Sequence, residues 1–141
     1  MEKKDLKPAG VFKYFEEICQ VPRPSKKEEK MIAYLKAFGA KHNLETKVDE
    51  AGNVLIKKPA TPGKENLQTV VLQSHIDMVC EKNNDVQHDF LTDPIETEID
   101  GEWLKAKGTT LGADNGIGVA TELAILADDS IEPVRWNACL P

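Results

Sequence analysis

The feature that most constrains this sequence is a short apolar run at residues 70–72, which leads directly into a polar segment containing His75 and Asp77. An apolar run without polar alternation is typical of a strand that is covered on both faces. We therefore expect residues 70–72 to form a central strand of a sheet. Polar residues that follow such a strand lie at the edge of an open α/β sheet, where ligands usually bind.

Hydrophobic periodicity predicts three helices around this strand. Apolar residues recur at helical spacing after Gly10, and that helix should end before Pro22. Ser25 and Glu28 have the spacing of a capping box, so a second helix should begin there. A third helix is predicted over residues 119–127, where small residues would allow close approach to a sheet.

Two strand pairs complete the predicted architecture. Residues 44–50 and 54–57 flank a Gly-Asn turn, and residues 95–99 and 103–105 flank a turn that we place at Asp100–Gly101. Helices and strands interleave along the chain, which favours an α/β layer. The predicted fold is a mixed β-sheet flanked by helices.

Composition limits the classes of partner. With 141 residues and 40% hydrophobic content, the chain has the size and the apolar content of one globular domain. Its formal net charge of -6 would repel nucleic acid and anionic lipid, so we expect neither a nucleic-acid nor a membrane partner. The first residues precede no apolar run that could act as a signal peptide, and a cytoplasmic location is expected.

His75 and Asp77 are two residues apart in a predicted extended segment. Residues at this spacing point to the same side of a strand, roughly 7 Å apart along it, and Ile76 and Met78 point to the other side. A carboxylate so placed can accept the imidazole N–H and leave the other ring nitrogen free for a metal. The alternative is a histidine at a strand end that is only hydrogen-bonded.

A glycine-rich segment, residues 108–118, precedes the third predicted helix and contains Asp114. Glycines allow unusual dihedral angles and close approach of large groups, so Asp114 could project into a cavity and bridge two cations. The alternative is that Asp114 caps the helix. A phosphate-binding loop is excluded, because the segment lacks the Walker A spacing.

Together the two segments resemble the dizinc peptidase and deacylase family, which includes aminoacylases, glutamate carboxypeptidases and bacterial dipeptidases. More narrowly, residues 74–82, 88–90, 93–95 and 108–118 resemble the branch of that family that cleaves aminoacyl-histidine dipeptides. The resemblance extends to about Glu132. It implies that residues 1–132 are the N-terminal portion of a zinc-peptidase catalytic domain and that residues 133–141 are a divergent tail, whose composition suggests a shifted reading frame or an altered terminus.

The resemblance also implies roles for three residues. His75 would bind one zinc ion, Asp77 would serve catalysis by orienting His75, and Asp114 would bridge both zinc ions, with a cis peptide bond to Asn115. A complete site would hold two Zn²⁺, with Co²⁺ or Mn²⁺ as alternatives, and would activate a water molecule. The implied substrates are small peptides, preferentially Xaa-His dipeptides including carnosine-like compounds. The full-length protein would be a homodimer.

Several parts that the family has do not occur in this sequence. These are a Glu-Glu pair, a further acidic ligand, a distant histidine ligand and a lid domain. Because the remaining ligands and the general base are missing, we expect this chain alone to be inactive. Two alternatives stay open: a tripeptidase or N-acyl amino acid deacylase of the same family, and a truncated, non-catalytic binding module.

Overall fold

The computed structural model describes residues 2–131 and 134–141. Within these ranges the helices and strands interleave, as the sequence predicts. In chain order the elements are a short 3-10 helix Lys3–Asp5, α1 Ala9–Cys19, α2 Glu29–Lys41, β1 Glu45–Val48, β2 Val54–Lys58, β3 Val70–Gln73, β4 Thr97–Asp100, β5 Trp103–Ala106, α3 Ala113–Ala127 and β6 Trp136–Leu140.

Four of the strands form one sheet in the order β1-β2-β6-β3. The β1–β2 and β2–β6 pairs are antiparallel, whereas β3 and β6 are parallel. The hairpin β4–β5 forms a separate two-stranded sheet. The predicted mixed sheet flanked by helices is thus confirmed.

The core lies between the helices and one face of the sheet. On β2 and β6 alternate residues are buried, as expected for strands with one face toward a core. The α1 and α3 helices pack against each other, and α2 contacts β1 and β2. Fully buried members of the core include Phe15, Ile18, Met31, Leu35, Val54, Ile56, Val119, Leu123, Ala138 and Leu140.

The prediction that residues 70–72 form a central strand was wrong. These residues form β3, which is the edge strand of the four-stranded sheet. Val70 is 40% exposed and Val71 is 61% exposed, so the strand is not covered on both faces. The reason is that β6 takes the inner position, because it pairs with β2 on one side and with β3 on the other.

The predicted start of α2 was also wrong. The helix begins at Glu29 and not at a Ser25–Glu28 capping box, and its N-cap residue Glu28 makes no side-chain capping bond. The hydroxyl of Ser25 instead donates to the carboxylate of Asp77. A tertiary contact has therefore taken the hydroxyl that would have capped the helix.

The predicted hairpin is present, but its turn differs by one residue. Strand β4 runs through Asp100, and β5 begins at Trp103, so the two-residue connection is Gly101–Glu102. Gly101 has a φ of 61°, in the left-handed region that glycine favours. The third helix also begins earlier than predicted, at Ala113.

The predicted boundary between residues 1–132 and the tail falls on residues 132 and 133, which lie outside the described residues. Farther along, Trp136–Leu140 form β6 in the interior of the sheet. The described part of the tail thus takes part in the fold. The division of the chain at residue 132 stays a prediction.

Candidate metal centre

The backbone that carries His75 and Asp77 continues the direction of β3. The N–H groups of Ser74 and Ile76 donate to the carbonyls of Cys139 and Pro141, at 3.2 and 2.8 Å. Parallel pairing with β6 therefore extends beyond β3 and holds His75 in extended backbone. As predicted, Ile76 is buried in the core, while His75, the residue before it, is only partly buried.

Asp77 fixes the orientation of the His75 ring. Its Oδ1 lies 2.9 Å from Nδ1 of His75, and its backbone carbonyl oxygen lies 3.2 Å from the same nitrogen. Hydrogen bonding from Ser25 lowers the pKa of Asp77, burial opposes that, and the bond from His75 lowers it further. An ionised Asp77 accepts the Nδ1–H and leaves Nε2 of His75 free for another partner.

Asp114 lies in a distorted first turn of α3. Gly112, the N-cap residue, has a φ of 72°, and Asp114 and Asn115 both have non-helical dihedral angles. The peptide bond between Asp114 and Asn115 is cis, as the resemblance implies. The cap position belongs to Gly112, and no side-chain hydrogen bond caps this end of the helix. The alternative interpretation of Asp114 as the helix cap was therefore wrong.

The two predicted ligands meet at the surface. Nε2 of His75 lies 3.0 Å from Oδ1 of Asp114, and their side chains are 43% and 96% exposed. The Asp114 carboxylate thus projects from the surface and not into a cavity, contrary to expectation. Partial burial lowers the pKa of His75, but the hydrogen bonds to Asp114 and Asp77 outweigh it, so the net pKa is raised.

The donor atoms fit part of a zinc site. An imidazole nitrogen and a carboxylate oxygen are both common zinc donors, and here both point to the same open surface. Among residues 2–131 and 134–141, however, no group of three or more His, Cys, Asp or Glu side chains could hold a metal ion. His75 and Asp114 alone therefore offer fewer donors than the three that a catalytic zinc site usually has.

Sequence reasoning missed a buried polar pair behind the centre. The hydroxyl of Ser74 donates to Oε1 of Glu122 at 2.7 Å, which links the segment before His75 to α3. Glu122 is 4% exposed, and burial raises its pKa to about 7 although the Ser74 bond lowers it. The available signal was a glutamate between the apolar positions Val119 and Leu123 of a predicted helix.

Comparison with known proteins gives strong matches to dipeptidases. No protein-family model matches the chain. Over 130 residues, 92% of this chain and 27% of the relative, it is 51% identical to the cytosol non-specific dipeptidase of Escherichia coli. The crystal structure of aminoacylhistidine dipeptidase from Vibrio alginolyticus superposes with a TM-score of 0.95 at 51% identity, over 99% of this chain and 29% of that chain.

More distant structures share the fold alone. A tripeptidase from Staphylococcus aureus and an aminopeptidase from Bacillus cereus superpose with TM-scores of 0.74 and 0.75, each at 20% identity over 93% of this chain and 35% of theirs. The chain spans less than a third of the length of the two dipeptidases. Along nearly its whole length, this chain therefore matches in sequence and in fold a part of a dipeptidase of the aminoacylhistidine type.

Proposed function

We propose that this chain supplies part of the active site of a two-zinc peptidase that hydrolyses dipeptides, preferentially Xaa-His dipeptides including carnosine-like compounds. The observation that carries the proposal is the 3.0 Å contact between Nε2 of His75 and Oδ1 of Asp114, with Nδ1 of His75 bound to Asp77. The 51% identity to two dipeptidases supports the substrate class.

In this proposal each of the three residues has one task. His75 offers Nε2 to a zinc ion, Asp77 keeps the ring in the required tautomer, and Asp114 offers its exposed carboxylate to both ions. Bound zinc would supply Lewis-acid polarisation of the scissile carbonyl and would lower the pKa of a water molecule. Co²⁺ and Mn²⁺ have compatible donor preferences and are alternatives at the same residues.

We further propose that residues 1–132 form the N-terminal portion of the catalytic domain, and that the isolated 141-residue chain is inactive. Two protein ligands are fewer than the three that catalytic zinc sites usually have. The longer protein is proposed to be a cytoplasmic homodimer. The name of the Escherichia coli relative supports that location. In addition, no helix within residues 2–131 and 134–141 is long and apolar enough to cross a membrane.

A chimera tests the proposed function. This chain would replace the matching 27% of the Escherichia coli dipeptidase, so that the missing ligands come from the relative. We expect zinc-dependent hydrolysis of an Xaa-His dipeptide, lost in the chimera with His75→Ala and unaffected by His42→Ala. A folded chimera whose activity survives His75→Ala would contradict the proposal. The isolated chain should show no turnover above its own His75→Ala variant.

The same chimera discriminates the alternatives. A tripeptidase would prefer tripeptides, and a deacylase would accept N-acyl amino acids without a free amino group. A non-catalytic module would bind no zinc through Asp114. The structural match to the tripeptidase, at 20% identity, supports only the shared fold, so the dipeptidase remains the proposal.

A further inference from the structure

Arg23 is a fully buried cation beside the metal centre. It is 1% exposed and is the largest of the fully buried side chains among the described residues. Burial lowers the pKa of its guanidinium. Nearby Cys19, Cys80 and Asp77 offset part of that lowering. Its Nε and Nη1 find no hydrogen-bond partner within residues 2–131 and 134–141. A side chain this costly to bury needs a structural or functional reason.

Within residues 2–131 and 134–141, the side chain of Arg23 makes one hydrogen bond, and its acceptor lies in the turn that carries Asp114. Its Nη2 donates to the carbonyl oxygen of Gly112 at 3.0 Å. The same oxygen accepts the backbone N–H of Gly116 at 3.1 Å. Residues 113–115 lie between these two glycines, so the guanidinium binds the carbonyl that closes the turn around Asp114.

Two glycines of the turn make room for the guanidinium. A Cβ atom at Gly112 would lie 2.7 Å from Nη2 of Arg23, and one at Gly116 would lie 2.8 Å from the same atom. Real Cβ atoms essentially never approach so closely, and here the neighbour is itself packed in the core. Gly112 and Gly116 thus allow the close approach of a large group, as the sequence indicates for this segment, and that group is the guanidinium of Arg23.

The segment that contains Arg23 also contacts the part of the candidate centre around Asp77. The carbonyl of Arg23 accepts the N–H of Met78 at 3.0 Å, and Pro24 forms a parallel bridge with Met78. The hydroxyl of Ser25 donates to Asp77. Residues 23–25 therefore contact the backbone next to Asp77 on one side and the turn of Asp114 on the other.

We propose that Arg23 is a positioning residue for the metal centre: through the Gly112 carbonyl, its guanidinium holds the Asp114 turn in the place where the carboxylate meets His75. This inference rests on the proposed role of His75 and Asp114 as zinc ligands. Losing an interaction that orients a ligand typically costs about 10- to 100-fold in metal affinity, and we expect an effect at the lower end of that range.

The first measurement is the zinc affinity of the chimera with the Escherichia coli dipeptidase, which supplies the ligands that this chain lacks, by competition with a chelating dye. Arg23→Met keeps most of the length but removes the donors, and it should weaken zinc binding about tenfold. Arg23→Lys keeps one charged donor and should lose less. Leu35→Val is the matched control, because Leu35 is equally buried on α2. That variant should keep a zinc affinity within about twofold of the unmodified chimera.

The second measurement needs no metal. Hydrogen exchange of the Gly116 amide, divided by that of the Leu123 amide on the same helix, reports the turn independently of global stability. We expect Arg23→Met to raise this ratio about tenfold, and Arg23→Lys gives a second test if the methionine variant does not fold. An unchanged ratio in whichever of the two variants folds would overturn the positioning role.

The two measurements separate the two proposals. If the unmodified chimera and its His75→Ala variant have the same zinc affinity, the proposed ligands are wrong, and the exchange ratio alone decides whether Arg23 holds the turn. If zinc binding depends on His75 but is the same in Arg23→Met, Asp114 needs no positioning by Arg23, and the inference fails while the proposed function stands.

Discussion

The surface of the metal centre and the layer directly beneath it differ in exposure and in their partners. At the surface, His75 and Asp114 are open to solvent and their polar atoms contact each other. Beneath them, Arg23 and Glu122 are buried, and each has side-chain atoms without a partner among the described residues. In the proposed site, chemistry and stability are therefore separated: the surface groups would bind the metal, whereas the buried groups would determine where the surface groups lie.

The largest expected effect is on the surface. In the chimera with the Escherichia coli dipeptidase, His75→Ala should reduce zinc affinity by more than roughly 100-fold, because it removes a ligand itself. Loss of a residue that only orients a ligand costs up to about that much. The free energy of unfolding should change by less than about 1 kcal/mol, since the side chain is partly exposed. Isothermal titration with zinc and thermal unfolding measure the two quantities. The control His42→Ala should keep zinc affinity. Equal losses of zinc affinity in both variants would contradict the proposed role of His75 as a ligand.

The next effect concerns Glu122 in the buried layer. Its pKa is raised to about 7, so the folded chain binds a proton there more tightly than the unfolded chain does. This stabilisation is fully present below the unfolded pKa of roughly 4.3 and is lost as the pH rises to about 7. From pH 5 to pH 8 the stability of the unmodified chain, measured relative to Glu122→Gln, should fall by about 2–3 kcal/mol.

Denaturant unfolding at several pH values measures this difference. Glu102→Gln, at an exposed position of the hairpin turn, is the control and should leave the pH dependence unchanged. A parallel pH dependence in the unmodified chain and in Glu122→Gln would show that Glu122 does not titrate in this range. Any pH dependence of the free energy of unfolding would then have to come from another group.

A smaller effect is expected from Asp77, which orients His75 without being a ligand. Asp77→Asn keeps an oxygen that can accept the Nδ1–H but loses its charge, so the zinc affinity of the chimera should fall about tenfold. The exposed Asp85→Asn in the nearby loop is the control for loss of one negative charge. Chelator competition at constant ionic strength measures both variants. Equal affinities for the two would mean that the Asp77–His75 contact does not orient the ring.

The smallest effect is expected at the edge strand β3, which is exposed where the layer beneath the centre is buried. Val71→Thr should change the free energy of unfolding by less than about 0.5 kcal/mol, because Val71 is exposed. The same change at buried Val54 should cost at least about 1 kcal/mol. Urea unfolding compares the two variants. Similar losses at both positions would indicate that β3 is covered in solution.

Local patterns predicted the helices, the β1–β2 pair and the hairpin, because each depends on residues close in sequence. The facing of His75 and Asp77 followed in the same way from the period of two in extended backbone. The meeting of His75 with Asp114, 39 residues apart, was expected only through the resemblance to dizinc peptidases. Spacing along a chain does not determine which loops adjoin.

The errors came from pairings that no local pattern contains. An apolar run at residues 70–72 does not reveal its neighbours, and β6 took the inner position of the sheet. Strand β6 itself was missed, although Ala138 and Leu140 alternate with more polar residues. Arg23 was not singled out from the sequence, since an arginine is rarely buried and its contact with Gly112 spans 89 residues.

The most direct test of the account is nitrogen-15 NMR of the imidazole of His75 during zinc titration. The account predicts that the Nε2 resonance shifts on zinc addition while Nδ1 keeps its proton, and that Asp114→Ala greatly weakens the shift. Zinc bound through Nδ1, or an Nε2 shift of equal size and affinity in Asp114→Ala, would contradict the claim that these two residues bind the same metal ion.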